Sequence, residues 1–522
     1  MTLRRTLLAL PLLALLAPAA AQAPDENTLV VAQTTDATTF DPAEIGDRAS
    51  ANIADHLWGT LLEITPEGEI TPYLAESYEV SESGTEVSFT LREGLTCHDG
   101  EALTAEDVAY SFTRAADPEN GFTGNTPGFI LTSIGFQEAR ADDELTATVV
   151  MGAPNAIAAG LLAEVYIHCK DSYEAMTLEE ASANPVGSGP YRFVEWVRDD
   201  RVVLEKVEDF PLVDAGFQTL VWRAVPEAST RSAELIAGNV DVVAGVSPDQ
   251  QDAINNSGTA EVIPVSGTRR IYVGFNLKPE FAEASEGGAA IQETAVRVAL
   301  QYAVDVPTIC ETLLGTSCER ADGLVNPPND NLNLEPYPYD PERAEQLLDE
   351  AGYPRGDDGV RFSLTLQSPN GRYLNDANVA LAVGQYLTDI GVETTVEPMD
   401  FASVYVPLIR AHDAGPLFLL GSGGGLWSPL YDMTDLATPD SGTNYTEWQN
   451  PEWFSGWERL AQAETEEEQR VIIDEMLEVF YNDPPWLMMY FQPDFYGVST
   501  RLEWSPRPDE HIDVTTATLA SN

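Results

Sequence analysis

The stretch Glu86–Ala116, "EVSFTLREGLTCHDGEALTAEDVAYSFTRAA", carries two periods and a clear junction between them. Val87, Phe89 and Leu91 alternate with polar residues, which predicts a half-exposed strand. Thr104, followed three residues later by Asp107, has the form of a capping box. Val108, Phe112 and Ala115 then share one face of a helix. Asp99-Gly100 between them reads as a turn device that also accounts for His98.

Working outward, the same alternation of element types continues. "TLVVAQ" (Thr28–Gln33) is a short β-branched run and predicts a buried strand. "DPERAEQLLDEAGYP" predicts a helix with Asp340 as N-cap, Pro341 at the first position, Leu347, Leu348 and Ala351 in a stripe, and Gly352 and Pro354 as stops. "DANVALAVGQYLTDIG" predicts another, with Val379, Val383, Tyr386, Leu387 and Ile390 inward and Gly391 ending it. "VETTV" follows as a strand. Strand–helix alternation over this length argues for α/β lobes with mostly parallel sheets.

The chain has 522 residues, too many for one core. Its first residues, "MTLRRTLLALPLLALLAPAAAQA", combine Arg4 and Arg5, an apolar run from Leu7 to Ala17, and a small-x-small site at Ala21-Gln22-Ala23. That pattern predicts a secretory signal peptide, residues 1–23; the apolar run is too short for a membrane anchor. The destination expected is a bacterial periplasm, with no stable membrane insertion.

Four cysteines suit an oxidising compartment. Cys310 and Cys318 are spaced to staple a turn, and Cys97 and Cys169 would close a much longer loop. Four cysteines still allow three connectivities. No Cys-x-x-Cys or His-x-x-x-His spacing occurs, so no metal ligand set is expected, and no cofactor motif is present. The formal net charge is −58, becoming −60 without Arg4 and Arg5, and the lysines are three: Lys170, Lys206 and Lys278. Such a surface repels nucleic acid and anionic lipid. The acidic residues are scattered rather than massed in a tail, which fits a solvated acidic face in a saline setting.

Five stretches together resemble the dipeptide- and oligopeptide-binding proteins of bacterial ABC importers, the extracellular solute-binding protein family 5. They are "ITPYLAESYEVSESGTEVSFTLREGLTCHDGEALTAEDVAYSF" (70–112), "NPVGSGPYRFVEW" (184–196), "VGFNLKPEF" (273–281), "VRVALQYAVD" (296–305) and "YDPERAEQLLDEAGY" (339–353). The resemblance implies a two-lobed α/β periplasmic-binding-protein fold (type II, class C) with an extra domain in the N-terminal lobe. Domain I would comprise residues 24–62, 185–275 and 488–522, domain II residues 63–184, and domain III, the opposing lobe, residues 276–487. Crossovers would lie near "VGFNLK" and "PPWLMMYF". The implied function is non-enzymatic: a monomer captures a small solute between domains I and III by hinge closure and hands it to the permease subunits.

The resemblance also implies site residues. "FDPAEIGDRASAN" matches the segment whose backbone pairs with bound ligand, pointing to Gly46, Asp47 and Arg48. Arg372, after a strand end, is expected to open toward the cleft, with Tyr490 and Phe491 as its floor. The loop "GSGGGLWSPLYD" (Gly421–Asp432) lacks the Lys-Ser/Thr of a phosphate loop, and Leu420 stands where a nucleophile elbow around Ser422 needs glycine. Counted from Arg410, Gly425 falls at or near the position where the family's peptide binders carry an aspartate for the ligand's ammonium. Trp427 is then expected to stack on a ring and Asp432 to reach in from the loop. The expected ligand departs from an ordinary peptide toward an oligosaccharide or opine-like conjugate. An exported hydrolase stays as the alternative, because 85 acidic residues make any carboxylate pair uninformative. If the acidity is a saline adaptation, the melting temperature will hold or rise as NaCl goes from low to seawater concentration; a fall refutes it.

Overall fold

The computed structural model describes residues 24–521 apart from 317, 319, 327–333, 424–427, 440, 461 and 464. Residues 1–23, the expected signal peptide, lie outside the described residues, as do Gly425 and Trp427. Sixteen strands matter to the architecture. They are β1 (Thr28–Gln33), β2 (Leu62–Ile64), β3 (Ile70–Pro72), β4 (Ala75–Val80), β5 (Glu86–Leu91), β6 (Phe136–Ala141), β7 (Thr146–Met151) and β8 (Tyr191–Val197). The rest are β9 (Arg201–Lys206), β10 (Thr219–Ala224), β11 (Val242–Ala244), β12 (Ala260–Phe275), β13 (Phe362–Asn370), β14 (Val392–Asp400), β15 (Leu417–Gly423) and β16 (Trp486–Ser499).

One ten-stranded sheet runs β14-β13-β15-β12-β16-β11-β1-β10-β9-β8, and a separate antiparallel sheet runs β4-β5-β7-β6. The expectation of mostly parallel sheets is corrected. Four of the nine pairings in the large sheet are parallel and five antiparallel. The reasons are β12 and β16, which return through the middle of the sheet and pair antiparallel with their neighbours on both sides, and the antiparallel run β10-β9-β8 at one edge.

Local readings hold where the code is local. The helix Ala105–Ala116 begins with the reciprocal Thr104–Asp107 capping box and buries Val108, Phe112 and Ala115. In β5, Val87, Phe89 and Leu91 are all buried. The helix Pro341–Glu350 starts on Asp340, whose carboxylate accepts from the Arg343 amide. Gly391 closes the helix Asp376–Asp389 at φ +90°, a left-handed backbone that glycine adopts without cost. Both disulfides form, Cys97–Cys169 and Cys310–Cys318. The turn "GSGPY" is structural: a Cβ on Gly187 would stand 1.9 Å from the Leu57 carbonyl oxygen. Ser188 is buried and its hydroxyl donates to the Ile167 carbonyl.

Among the described residues, buried apolar side chains gather in five clusters. Two lie on one side of the β12–β16 pair: one beneath β13–β15 with the helices Thr294–Tyr302, Pro341–Glu350 and Asp376–Asp389, the other under Pro451–Leu460 and Glu466–Asn482. Two flank β1 and β10 on the other side, and the fifth fills the segment around β5 and β7.

The β12–β16 ladder joins the two sides and is irregular at two places: a smaller shift between Ile271 and Tyr272, which skips Met489, and a larger break just before it. Ser266 pairs with Pro493 and Arg270 with Phe491, so Gly267, Thr268 and Arg269 stand against Gln492 alone. A Cβ on Gly267 would fall 2.6 Å from the Gln492 carbonyl oxygen, so the bulge closes only over glycine. Before the break β12 runs with the half of β16 that pairs with β11; after it, β12 runs with β15. The break lies upstream of "VGFNLK", whose Val273 and Phe275 are fully buried.

Next to the bulge, Arg270 and Asp432 form an ion pair enclosed on all sides, Nη1 to Oδ1 at 2.9 Å. The Asn326 amide donates to the other carboxylate oxygen at 2.8 Å, and Asp435 approaches Arg270 at 3.1 Å. Burial pushes the Asp432 carboxyl up to about 6 although Arg270 pulls it down. Removing one partner leaves the other charge buried and uncompensated. Arg270→Met is therefore expected to cost about 3–5 kcal/mol in urea unfolding at pH 7.5.

Candidate functional site

A cavity of about 1060 Å³ opens where the two sides of the sheet face each other. Its wall draws on the helix Arg48–Leu57, the β5–β7 segment and residues 507–516 from one side. Arg269, Arg372, Gly423 and Tyr431 come from the other. Tyr431 reaches across to Phe129, ring centroids 6.1 Å apart and edge to face, so one flank of the cleft is closed by an aromatic contact.

Gly46, Asp47 and Arg48 all lie on this wall. Their arrangement follows from the helix start. Asp47 is the N-cap, accepting from the Ser50 amide at 2.9 Å and from the Ser50 and Thr38 hydroxyls at 2.7 Å. Its carboxylate is thereby committed to the helix. Arg48 is the first helical residue and donates from Nη1 to His511 Nε2 at 2.5 Å. His511 in turn meets Asp55 through Nδ1 at 2.8 Å, and the Tyr166 hydroxyl donates to the other Asp55 oxygen at 2.6 Å. Burial opposes the Asp55 carboxylate, but His511 and these hydrogen bonds hold its carboxyl down at about 2.

Arg372 stands on the opposite wall. Its guanidinium lies over the rings of Tyr373 at 5.1 Å and Phe401 at 5.7 Å, while its amide donates to the Asp376 carboxylate. Neither Arg48 nor Arg372 has an ion pair with any carboxylate among the described residues. Their cavity neighbours do: Arg269 grips Glu510 in a two-point contact at 2.9 and 3.1 Å, and Arg507 pairs with Asp509 at 2.5 Å. Glu510 holds a left-handed backbone, φ 64°, uncommon for a residue with a side chain. Burial pushes the Glu164 carboxyl up, against the pull of Arg48 and His511, and Asn125 donates to it at 3.1 Å.

Three expected site residues sit elsewhere. Asp432 does not reach into the cleft; its carboxylate is the counter-ion of Arg270 and fully enclosed. Tyr490 is 1% exposed and packs in the core beneath β13–β15, so it forms no floor. Phe491 packs against the core under Pro451–Leu460, away from the cavity wall. Within the stretch 421–432, Gly421 lies inside β15 close against Ile271 and Tyr373, and Gly423, the last residue of β15, borders the cavity at φ +101°. Sequence reasoning missed Asp55, Glu164, Arg269, Tyr431, Glu510 and His511. Each is an isolated polar residue that the fold gathers from distant segments, and no local pattern marks them.

No group of three or more His, Cys, Asp or Glu side chains among the described residues is arranged to hold a metal, and no described helix is long and apolar enough to cross a membrane.

Two lobes sharing a sheet, with a large charged cavity between them, are the architecture of a solute-binding protein. The family profile of the bacterial extracellular solute-binding proteins, family 5 (middle region), matches residues 69–444, and the chain belongs to that family. The glutathione-binding protein GsiB of Pectobacterium atrosepticum is 24% identical over 468 residues, covering 87% of this chain and 86% of the relative. Heme-binding protein A of Haemophilus influenzae is 25% identical over 514 residues, 92% of this chain and 90% of the relative. The crystal structure of the ABC transporter substrate-binding protein CtaP from Listeria monocytogenes superposes with a TM-score of 0.82 at 21% identity, over 95% of this chain and 100% of that one. The family's members serve ABC importers as periplasmic substrate-binding proteins, and the exported-hydrolase alternative finds no support among these relatives.

The bulge carries its own ionisable group. Burial, with Glu510 nearby, raises the Asp494 carboxyl to about 7, against the pull of Gln492 and Arg269. One of its oxygens has no hydrogen-bond partner. A carboxyl raised in the folded state stabilises below its unfolded value and loses that contribution as pH rises toward the folded value. Asp494→Asn is therefore expected to gain in melting temperature over wild type, by an amount that grows from pH 4 to pH 7 and levels off above.

Proposed function

We propose that this chain captures a small, carboxylate-bearing solute of peptide-like class in the periplasm. It closes two lobes on the solute and delivers it to an ABC permease, as a monomer and without covalent chemistry. The observation that carries the reading is the pair of cavity arginines, Arg48 and Arg372, one on each lobe and neither matched by a carboxylate among the described residues. In a chain with 27 basic and 85 acidic residues, two unmatched guanidinium groups facing one cavity are a receptor for an anion. Glutathione and heme, named for the two relatives, each carry two carboxylates. An anion touching both arginines is bound better by the closed arrangement than by the open one, and that difference drives closure.

The lobes proposed are residues 24–62, 185–275 and 488–522 with the insertion 63–184, against 276–487. The bending point belongs at Gly267–Arg269 and Gln492, where the ladder is irregular. Residues 1–23 are proposed to serve as the export signal. Gly46 offers backbone to the ligand beside Arg48, and Glu164 supplies a carboxylate for a ligand amine, the role left empty in sequence at Gly425.

Calorimetry with glutathione, carboxylate-bearing di- and tripeptides, their methyl esters and neutral oligosaccharides tests the reading. At least one free acid is expected to bind, its ester about tenfold or more weaker, and Arg372→Met to weaken the acid by about ten- to a hundredfold, the worth of a hydrogen bond to a charged group. Scattering should show the particle contract with the same ligand. Tight binding of a neutral oligosaccharide, indifferent to Arg372→Met, would overturn it.

A further inference from the structure

The Arg48–His511 contact fixes a protonation state. A guanidinium has donors and no acceptor, so its hydrogen bond to His511 Nε2 requires a lone pair on that nitrogen. The single proton of the neutral imidazole then sits on Nδ1 and is donated to Asp55, which the Tyr166 hydroxyl holds from its other oxygen. The four groups form a chain, Tyr166–Asp55–His511–Arg48, whose last member faces the cavity.

We propose that binding of an anionic solute at Arg48 is coupled to uptake of one proton by His511. The inference rests on the reading of Arg48 as an anion receptor and goes beyond it. While the cavity holds no anion, a proton on Nε2 would cost the Arg48 bond and set imidazolium against guanidinium. A carboxylate arriving at Arg48 offsets the guanidinium charge and presents an acceptor that Nε2–H can use. The bound state therefore favours the protonated ring. By reciprocity, the proton favours the bound state by the same factor. His511 is a positioning residue in the free protein, holding the guanidinium, and a second donor in the complex.

The charges around the ring support a switch of this sense. Asp55, from the helix Arg48–Leu57, accepts from Nδ1 in either state. Glu164 and Tyr166, which follow the helix Ala158–Leu162, line the same wall, as do Asp509 and Glu510 on the ring's own segment. Asp509 and Glu510 are matched by Arg507 and Arg269, Asp513 lines the same wall, and Asp509 and Glu164 also act on the ring, so the incoming anion adds to Asp55 and these carboxylates in favouring an imidazolium. Glu164 and Glu63 on the cavity wall, and Asp494 beside Arg269, also have carboxyls raised by burial, and controls must separate them from His511.

The experiment is calorimetry at pH 6.5 in two buffers of different ionisation enthalpy, together with affinities from pH 7.5 to 5.5. Glutathione is the probe, or the tightest-binding free acid of the panel if glutathione does not bind. The wild type is expected to show a buffer-dependent enthalpy signalling proton uptake, and affinity rising by up to about tenfold per pH unit, the limit for one proton. His511→Gln keeps an acceptor for Arg48 and a donor for Asp55 but cannot titrate, so its slope should be gone whatever its affinity at pH 7.5. Glu164→Gln, Glu63→Gln and Asp494→Asn should each keep the slope. Equal enthalpies in the two buffers for the wild type, a slope that survives in His511→Gln, or one that vanishes in any of the three carboxyl variants instead, each overturns the coupling. Because the wild-type buffer comparison stands alone, a poorly folding variant does not rescue the idea. If acids bind through Arg372 and no proton moves, the coupling alone falls; if no acid binds, or esters bind as well as acids, the anion-receptor reading falls and the coupling with it.

Discussion

Two strands that belong to both lobes at once, β12 and β16, are the constraint from which the rest follows. Backbone pairing through the middle of the ten-stranded sheet makes the lobes one hydrogen-bonded object, and the larger of two irregularities in that pairing is where we place the bend. Gly267 lets the backbones approach there, while Ile271, Val273 and Phe275 a few residues on are already locked in a core. The Arg270–Asp432 pair ties the loop after β15 to the strand leaving the bulge, so the wall carrying Gly423 and Tyr431 moves with the lobe rather than independently of it.

Scarcity of positive charge explains much of the interior. With three lysines, the chain relies on arginine, and several arginines serve the backbone instead of a carboxylate. Arg231 donates to the carbonyls of Val225, Pro226 and Gly245; Arg320 donates to those of Met488 and Tyr337. Burial lowers both guanidinium groups without removing their charge at neutral pH. Such residues clamp loop and strand ends that lack partners of their own. Against that background, the cavity positions of Arg48 and Arg372 acquire meaning, since they clamp no carbonyl and match no acid among the described residues.

What could be read from sequence was what residues a few positions apart decide. The Thr104–Asp107 box, the Asp340 cap and the alternation of Val87, Phe89 and Leu91 all act within one turn or one strand, and each appears where the pattern placed it. The mixed sheet was not legible, because nothing in "VGFNLK" or "PPWLMMYF" says that each strand returns antiparallel between parallel neighbours. Asp432 shows the limit at the site. Its place after a glycine-rich loop suggested a ligand-facing carboxylate, but a partner 162 positions away draws it inward. His511 and Glu510 offered no pattern at all; their cavity positions come from a C-terminal segment laid across the first helix.

The Cys97–Cys169 bridge closes a ring of chain that contains β6, β7 and the helix Ala105–Ala116, with β4 and β5 of the same sheet outside it. It also sits against the return of the chain, where His98 and Cys169 both contact the backbone of Gly187. A protease that severs one peptide bond inside this ring frees no fragment, since both new ends stay linked through sulfur. In a family of periplasmic proteins, that confers tolerance to nicking that the opposite lobe, whose own bridge spans eight residues, does not share.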